Sequence, residues 1–169
     1  MATLHVVMPV YNEPVTLAAA VARVLAAPMP AGWQLRATLI DDGSDAATKA
    51  AIADIAARLP VTALAHAKNR GKGAAIRTGF AHVLTHAADD DAILIQDADL
   101  EYDPADFRAL LVPLVAGEAD LVLGNRWATP PKGLKRHAHR LANGFLTLAS
   151  NLTTGLKVHD MECCFKLFT

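Results

Sequence analysis

Asp97, Asp99 and Glu101 follow the apolar run Ala92–Ile95 at intervals of two residues. If the backbone stays extended beyond that run, side chains two residues apart point to the same side. Convergent carboxylates repel one another unless a cation lies between them. Hard oxygen ligands suit Mg²⁺ or Mn²⁺, ions that commonly bridge protein carboxylates to substrate phosphates. Asp97 and Asp99 are therefore candidate metal ligands, with Glu101 as a third ligand or the holder of a metal-bound water. Alone, a D-x-D spacing reads equally well as a polar turn that caps a helix. Its weight grows because two further polar segments end apolar runs: Asp41-Asp42-Gly43-Ser44 and Pro9-Val10-Tyr11-Asn12-Glu13.

Asp42 is placed to accept hydrogen bonds from a ribose or a base. The competing reading is a capped turn, since Asp-Gly and Ser are turn formers. Arg126, just past Leu121–Gly124, can pair bidentately with a diphosphate, or form a surface ion pair. The stretch Lys68–Gly73 looks like a phosphate cradle, with Lys72 as a candidate donor-binding residue. It fits neither standard phosphate loop. A Walker A needs Gly at position 66 and Ser or Thr after the lysine, where His66 and Gly73 stand, and a dinucleotide fingerprint needs Gly or Ala where Ile76 stands. His82 and His86 are four apart, but the zinc-protease pattern needs Glu where Val83 stands, so surface or half-buried histidines are expected. His159, beside Asp160, stays open as a site residue, with a structural role favoured.

The elements that must position these residues alternate. Apolar runs at Leu4–Val10, Leu35–Ile40, Val61–Ala65, Ala92–Ile95 and Leu121–Leu123 read as strands covered on both faces, as in a parallel sheet. Helical patterns lie between them. Asn12 is expected to cap a helix opening at Glu13-Pro14, and Ser44 or Asp45 one over Ala47–Arg58. Gly71-Lys72-Gly73 opens a helix to about His86, and Asp103 precedes Pro104 as a cap. Asp89-Asp90-Asp91 reads as a solvated loop. Trp127–Gly133 reads as a loop. Lys132, Lys135, Arg136, His137, His139 and Arg140 form a basic cluster. A helix over about Ala138–Thr154 carries Leu141, Phe145, Leu148 and Leu152 on one face and Asn143, Thr147, Ser150 and Thr154 on another. Cys164–Phe168 closes the chain as a short strand. An α/β layered domain follows.

The 169 residues suit one domain with a sizeable core. Hydrophobic residues make up 53% and charged residues 20%, with a net charge of −1, so there is no global case for nucleic-acid binding. Cys163 and Cys164 are adjacent and read as reduced thiols of a cytoplasmic protein. No signal-like N-terminus and no run of about 18 apolar residues stands in the sequence.

Taken together, Pro9–Glu13, Asp41–Ser44, Asn69–Gly79, Gln96–Pro104, Gly124–Arg126 and Asp160–Phe168 resemble the family 2 glycosyltransferases, above all the dolichyl- or polyprenyl-phosphate sugar synthases. The resemblance implies a GT-A Rossmann-like three-layer fold with a central, mostly parallel sheet over residues 1–169. It implies that Pro9, Tyr11, Glu13 and Asp42 border the nucleotide of a sugar donor. It places a metal on Asp97 and Asp99, with Glu101 in its shell, and Arg126 on phosphate. Asp160 falls where many inverting relatives hold a base. In that family the domain usually continues with another helix and strand beyond the position of Thr169.

The reaction so implied is an inverting transfer from a UDP-glucose or GDP-mannose type donor. A lipid phosphate acceptor is already anionic, so Asp160 would only orient groups; with a hydroxyl acceptor it would be the general base. By themselves the basic cluster and the amphipathic helix read rather as a solvated loop and a core-facing apolar stripe; the resemblance favours a lipid phosphate at the inner face of a membrane. The alternatives are a family 2 enzyme with a glycan hydroxyl acceptor, a haloacid-dehalogenase-like phosphatase, which would want Thr or Val where Glu101 stands, and a non-catalytic nucleotide-sugar-binding module.

Overall fold

The computed structural model describes residues 1–127, 134–155 and 157–169, with the side chains of 134–138 left aside. Six strands, β1 (Ala2–Val10), β2 (Trp33–Asp41), β3 (Val61–Ala65), β4 (Ala92–Ile95), β5 (Leu121–Leu123) and β6 (Lys166–Phe168), form one sheet in the order β3-β2-β1-β4-β6-β5. The first four strands are parallel, whereas β6 runs antiparallel to both β4 and β5. The helices are α1 (Leu17–Leu25), α2 (Ala46–Arg58), α3 (Lys72–Val83), α4 (Phe107–Val115) and α5 (Leu134–Thr154).

The continuous apolar runs place side chains on both faces of the sheet. Leu4, Val6, Met8 and Val10 pack with Leu39 and Leu94 against the buried faces of α1, α2 and α4. On the other face, Val7, Ile40 and Ile93 pack with Ala75 and Val83 of α3. A Cβ on Gly79 would come within 2.5 Å of Val7 and 2.8 Å of Ile40, so α3 lies backbone-close on the sheet. This is the expected three-layer α/β arrangement. The expectation of cover on both faces fails at the edge strand β3, where Thr62, Ala63 and Ala65 are exposed.

Register opens the carboxyl edge. β1 pairs with β2 along its whole length, up to Val10 opposite Asp41. β4 stops opposite Val7. The chain order reverses across β1, with β2 on one side and β4 on the other, which is the switch point where open α/β sheets bind ligands.

Two local expectations are corrected. Asn12 does not cap α1. It sits at φ 55°, a left-handed conformation that Asn tolerates, its N–H donates to Ser44 Oγ at 3.1 Å, and its Oδ1 accepts from the Asp45 N–H at 2.8 Å. The residue thus ties the β1 loop to the β2 loop, and α1 begins later, at Leu17. Asp91 is not solvated. It is buried, accepting from the Thr3 and Ala88 N–H groups and facing His5 Nε2 at 3.1 Å. By contrast, Asp45 caps α2 as expected, accepting from the Thr48 N–H at 2.8 Å.

Gly43 holds the turn after β2 at φ +72°, and a Cβ there would lie 2.3 Å from the Lys68 carbonyl carbon. A backbone atom cannot yield as a flexible side chain can. Gly43→Ala is expected to lower unfolding free energy by at least ~2 kcal/mol in chemical denaturation; a loss under about 0.5 kcal/mol would show that the turn is not constrained in this way.

Candidate active site

Asp42 leaves the end of β2 with its carboxylate buried. Its Oδ1 faces His66 Nδ1 at 2.7 Å and accepts from the Arg70 N–H at 2.9 Å, while Oδ2 accepts from the Gly71 N–H at 2.8 Å. His66 follows β3 directly, and its Nε2 meets Thr78 Oγ1 of α3 at 2.9 Å. Burial is the largest single influence and pushes Asp42 up, but the hydrogen bonds from His66, Arg70 and Gly71 together hold it below its ordinary value. The glycine-rich stretch before α3 therefore closes on a carboxylate. One Oδ2 lone pair remains for a ligand, since a carboxylate offers about four acceptor sites.

Asp42 lines a cavity of about 180 Å³ together with Pro9, Val10, Tyr11, Asn69, Lys72 and Asp97. Five of the expected donor-binding residues, Pro9, Tyr11, Asp42, Lys72 and Asp97, thus converge from β1, β2, β4 and α3. Glu13 is not among them. Its carboxylate accepts from Thr16 Oγ1 at 2.7 Å.

The D-x-D segment departs from the extended form. The strand ends at Ile95, residues 98–100 bend, and Leu100 lies at φ 66°. Asp97 and Asp99 therefore do not alternate as on a strand. Asp97 contacts Lys72 Nζ through both oxygens, at 2.6 and 2.7 Å. Asp99 is exposed and, among the described residues, accepts only from the Glu101 N–H at 3.0 Å. Among the described residues, no three His, Cys, Asp or Glu side chains converge on a ready metal cage. The donor set still fits a Mg²⁺-like ion, which takes one or two carboxylates and completes its shell with water and phosphate oxygens. Asp97 already holds a cation between its oxygens.

A larger cavity of about 830 Å³ is lined by Glu101, Tyr102, Asp103, Arg126, Trp127, His139 and Glu162 among others. Arg126 donates through Nε and Nη2 to the two oxygens of Asp160, each at 2.8 Å, and its own N–H donates to Oδ2 at 3.0 Å. Asn143 of α5 donates to Oδ1 at 2.9 Å. Asp160 is therefore fully engaged and buried. Burial pushes its carboxyl up most strongly, but the Arg126 bonds and charge, with Asn143, hold it below the ordinary value. The expected diphosphate-binding Arg126 lines the cavity and is in a bidentate pair that does not use Nη1; its Nη2 also lies 3.8 Å from Glu162 Oε2.

α5 is polar inward and apolar outward. Asn143 and Thr147 are buried, whereas Leu141, Phe145, Leu148 and Leu152 are exposed, Leu141 by 77% and Leu152 by 78%. Asn151 holds the Val158 backbone from the same helix. Of the basic cluster, His139 and Arg140 are exposed; Lys132 and the side chains of Lys135, Arg136 and His137 lie outside the described residues. Cys163 and Cys164 are free and buried. His82 is half-buried, His86 exposed with their rings in edge contact, and His159 exposed. No described helix is long and apolar enough to cross a membrane. His66 and Asn143 carry no motif; His66 was findable only from its place at a strand's carboxyl end.

An open sheet of this order, with acidic side chains at its switch point, defines a GT-A fold. Residues 5–169 match the family model described as glycosyl transferase family 2, and the chain belongs to that family. It is 31% identical to the undecaprenyl-phosphate 4-deoxy-4-formamido-L-arabinose transferase of Edwardsiella ictaluri, over 98% of this chain and 48% of the relative. It is 30% identical to the dodecaprenyl-phosphate galacturonate synthase of Rhizobium johnstonii, over 98% of this chain and 47% of the relative. The chain thus spans about half the length of these curated relatives. Among solved structures, glucosyl-3-phosphoglycerate synthase from Mycobacterium tuberculosis, in complex with Mn²⁺, UDP and phosphoglyceric acid, aligns with a TM-score of 0.65 at 22% identity, covering 99% of this chain and 56% of that one.

A depressed carboxylate stabilises the fold above its unfolded pKa, and that contribution is lost as pH falls through the lower folded value. Asp160→Asn should therefore cost about 2–4 kcal/mol near pH 7, by leaving Arg126 without its partner, and progressively less as pH falls below the ordinary carboxylate value of 3.8. Equal destabilisation at neutral and acid pH in urea titrations would contradict the ion-pair account.

Proposed function

We propose that this chain is the donor-binding and catalytic part of an inverting glycosyltransferase. It takes a UDP- or GDP-linked sugar and passes it to a polyprenyl or dolichyl phosphate. The nucleotide occupies the cavity bounded by Pro9, Tyr11 and Asp42, with Asp42 accepting from the base or ribose and Glu13 at the margin. Mg²⁺ or Mn²⁺ would be held by Asp97 and Asp99, with Glu101 on a metal-bound water; when bound, it neutralises charge growing on the leaving diphosphate.

The observation that carries the acceptor assignment is the state of Asp160. A carboxylate with a depressed pKa and four hydrogen bonds is a poor proton acceptor. An acceptor needing deprotonation is therefore disfavoured, whereas a phosphate is already anionic. The acceptor's phosphate oxygen attacks the anomeric carbon from one face, and the bond to the nucleotide diphosphate breaks on the other, the electron pair leaving with that diphosphate. Arg126, aimed by Asp160, offers Nη1 to phosphate in the larger cavity. The relatives named for polyprenyl phosphates support the same acceptor class.

The exposed stripe of α5 suits a lipid surface, because its polar face is already occupied by the protein. We place the chain peripherally at the cytoplasmic face of a membrane. The relatives are about twice as long, so the complete transferase's activity is part of this proposal.

The test has a donor arm and an acceptor arm. Calorimetric titration of UDP-glucose and GDP-mannose should show binding to one of them with Mn²⁺, lost with chelator and weakened at least ~10-fold in Asp99→Ala. Co-sedimentation with vesicles carrying polyprenyl phosphate should fall in Phe145→Asp. Metal-independent binding, or vesicle binding indifferent to Phe145, would each sink its arm.

A further inference from the structure

Lys72 is the first residue of α3, and its backbone is anchored by the preceding Gly71 N–H on Asp42. Its ammonium contacts both oxygens of Asp97 at 2.6 and 2.7 Å. It also lies 3.9 Å from Cys164 Sγ, a weak acceptor, and feels the charge of Asp99. The side chain is half exposed, so it has room to swing. Lys72 and Asp97 line the same small cavity as Asp42 and Tyr11. The two carboxylates of the D-x-D segment are thus unequal: Asp97 is paired directly with Lys72, whereas among the described residues Asp99 makes no such close ion pair.

We propose that Lys72 is a built-in competitor of the divalent cation at Asp97 and couples metal binding to donor binding. This rests on the donor-site reading above. An ammonium and a divalent ion cannot both sit against one carboxylate without strong like-charge repulsion. A cation arriving alone must break the Lys72–Asp97 pair and leave the ammonium unpartnered. A cation arriving with a nucleotide diphosphate meets a different situation, because the released ammonium has phosphate oxygens within the same cavity. Donor then strengthens metal binding, and by linkage metal strengthens donor binding by the same factor. Lys72 is a positioning and coupling residue in this scheme, and it differs from a plain phosphate ligand in sign: removing it improves metal binding in the absence of donor.

Lys72→Met keeps the aliphatic stem and removes the charge. Mn²⁺ binding, read by electron paramagnetic resonance of the free ion, is measured alone and with UDP, then with GDP, for the wild type, Lys72→Met and Lys72→Arg. Lys72→Met should bind Mn²⁺ alone about three- to ten-fold more tightly than the wild type. The tightening of Mn²⁺ binding by nucleotide should shrink by a similar factor, and Lys72→Arg should restore it. A merely structural lysine would, on substitution, weaken Mn²⁺ binding with and without nucleotide. That result overturns the proposal, as does unchanged affinity in Lys72→Met alongside intact wild-type coupling. A wild type whose Mn²⁺ binding is indifferent to both nucleotides overturns the donor-site reading as well.

Discussion

Carboxylates at the carboxyl edge of a parallel sheet must be partnered, because an isolated charge taken out of water costs several kcal/mol. Three of them stand here at neighbouring positions, and much of the local structure exists to supply their partners. Asp42 receives His66 and two backbone N–H groups. Asp97 receives Lys72, and Asp160 receives Arg126 and Asn143. The loop after β3, the start of α3, the turn after β5 and the inner face of α5 are each held in place by one of these carboxylates.

The partners differ in how tightly they are committed, and the difference separates scaffold from working groups. The Asp160 pair is buried and satisfied on every lone pair, so it acts as a mount for Arg126. The Asp42 cluster is buried but keeps one acceptor position. The Asp97 pair is half exposed and involves a single flexible ammonium, so it is the one a ligand can exchange. Asp99, which among the described residues accepts only from the Glu101 N–H, is the least committed of the four. Catalytic sites commonly hold such groups in reserve within an otherwise satisfied network.

Much of this was legible in the residues. All five apolar runs fell within two residues of the observed strands, because an unbroken hydrophobic run marks a strand even where one face is partly open; β1 and β2 each began two residues earlier than expected. The polar ends of β1, β2 and β4 converge as their shared location suggested. What failed were local rules that tertiary contacts override. Asn12 has the chemistry of a helix cap, yet its side chain bridges to the Asp45 N–H on another loop. Asp91 sits in an acidic triplet that reads as solvated, but two backbone N–H groups and His5 draw it inward. Asp97 and Asp99 were expected on one side of an extended chain, and the left-handed Leu100 belongs to a bend that composition does not reveal. The periodicity of α5 was plain, but periodicity gives two faces without saying which faces the protein. Here the inward face is the polar one, because its task is to hold Asp160 and the backbone near Val158. The antiparallel insertion of β6 between β4 and β5 is a long-range pairing with no local signal.

The fold and family are settled by the sheet order and the match over residues 5–169. The chemistry rests on a single spatial claim: the donor's diphosphate, a divalent cation and the Asp97-Ala98-Asp99 segment meet beside the Asp42 cavity. A crystal structure of the chain grown with UDP and Mn²⁺, and in parallel with GDP and Mn²⁺, tests it most directly. The account predicts one nucleotide against Pro9, Tyr11 and Asp42, with the ion between its phosphates and Asp97 or Asp99, and Lys72 turned from Asp97 to phosphate. A nucleotide bound elsewhere, or an ion remote from both aspartates, would contradict it.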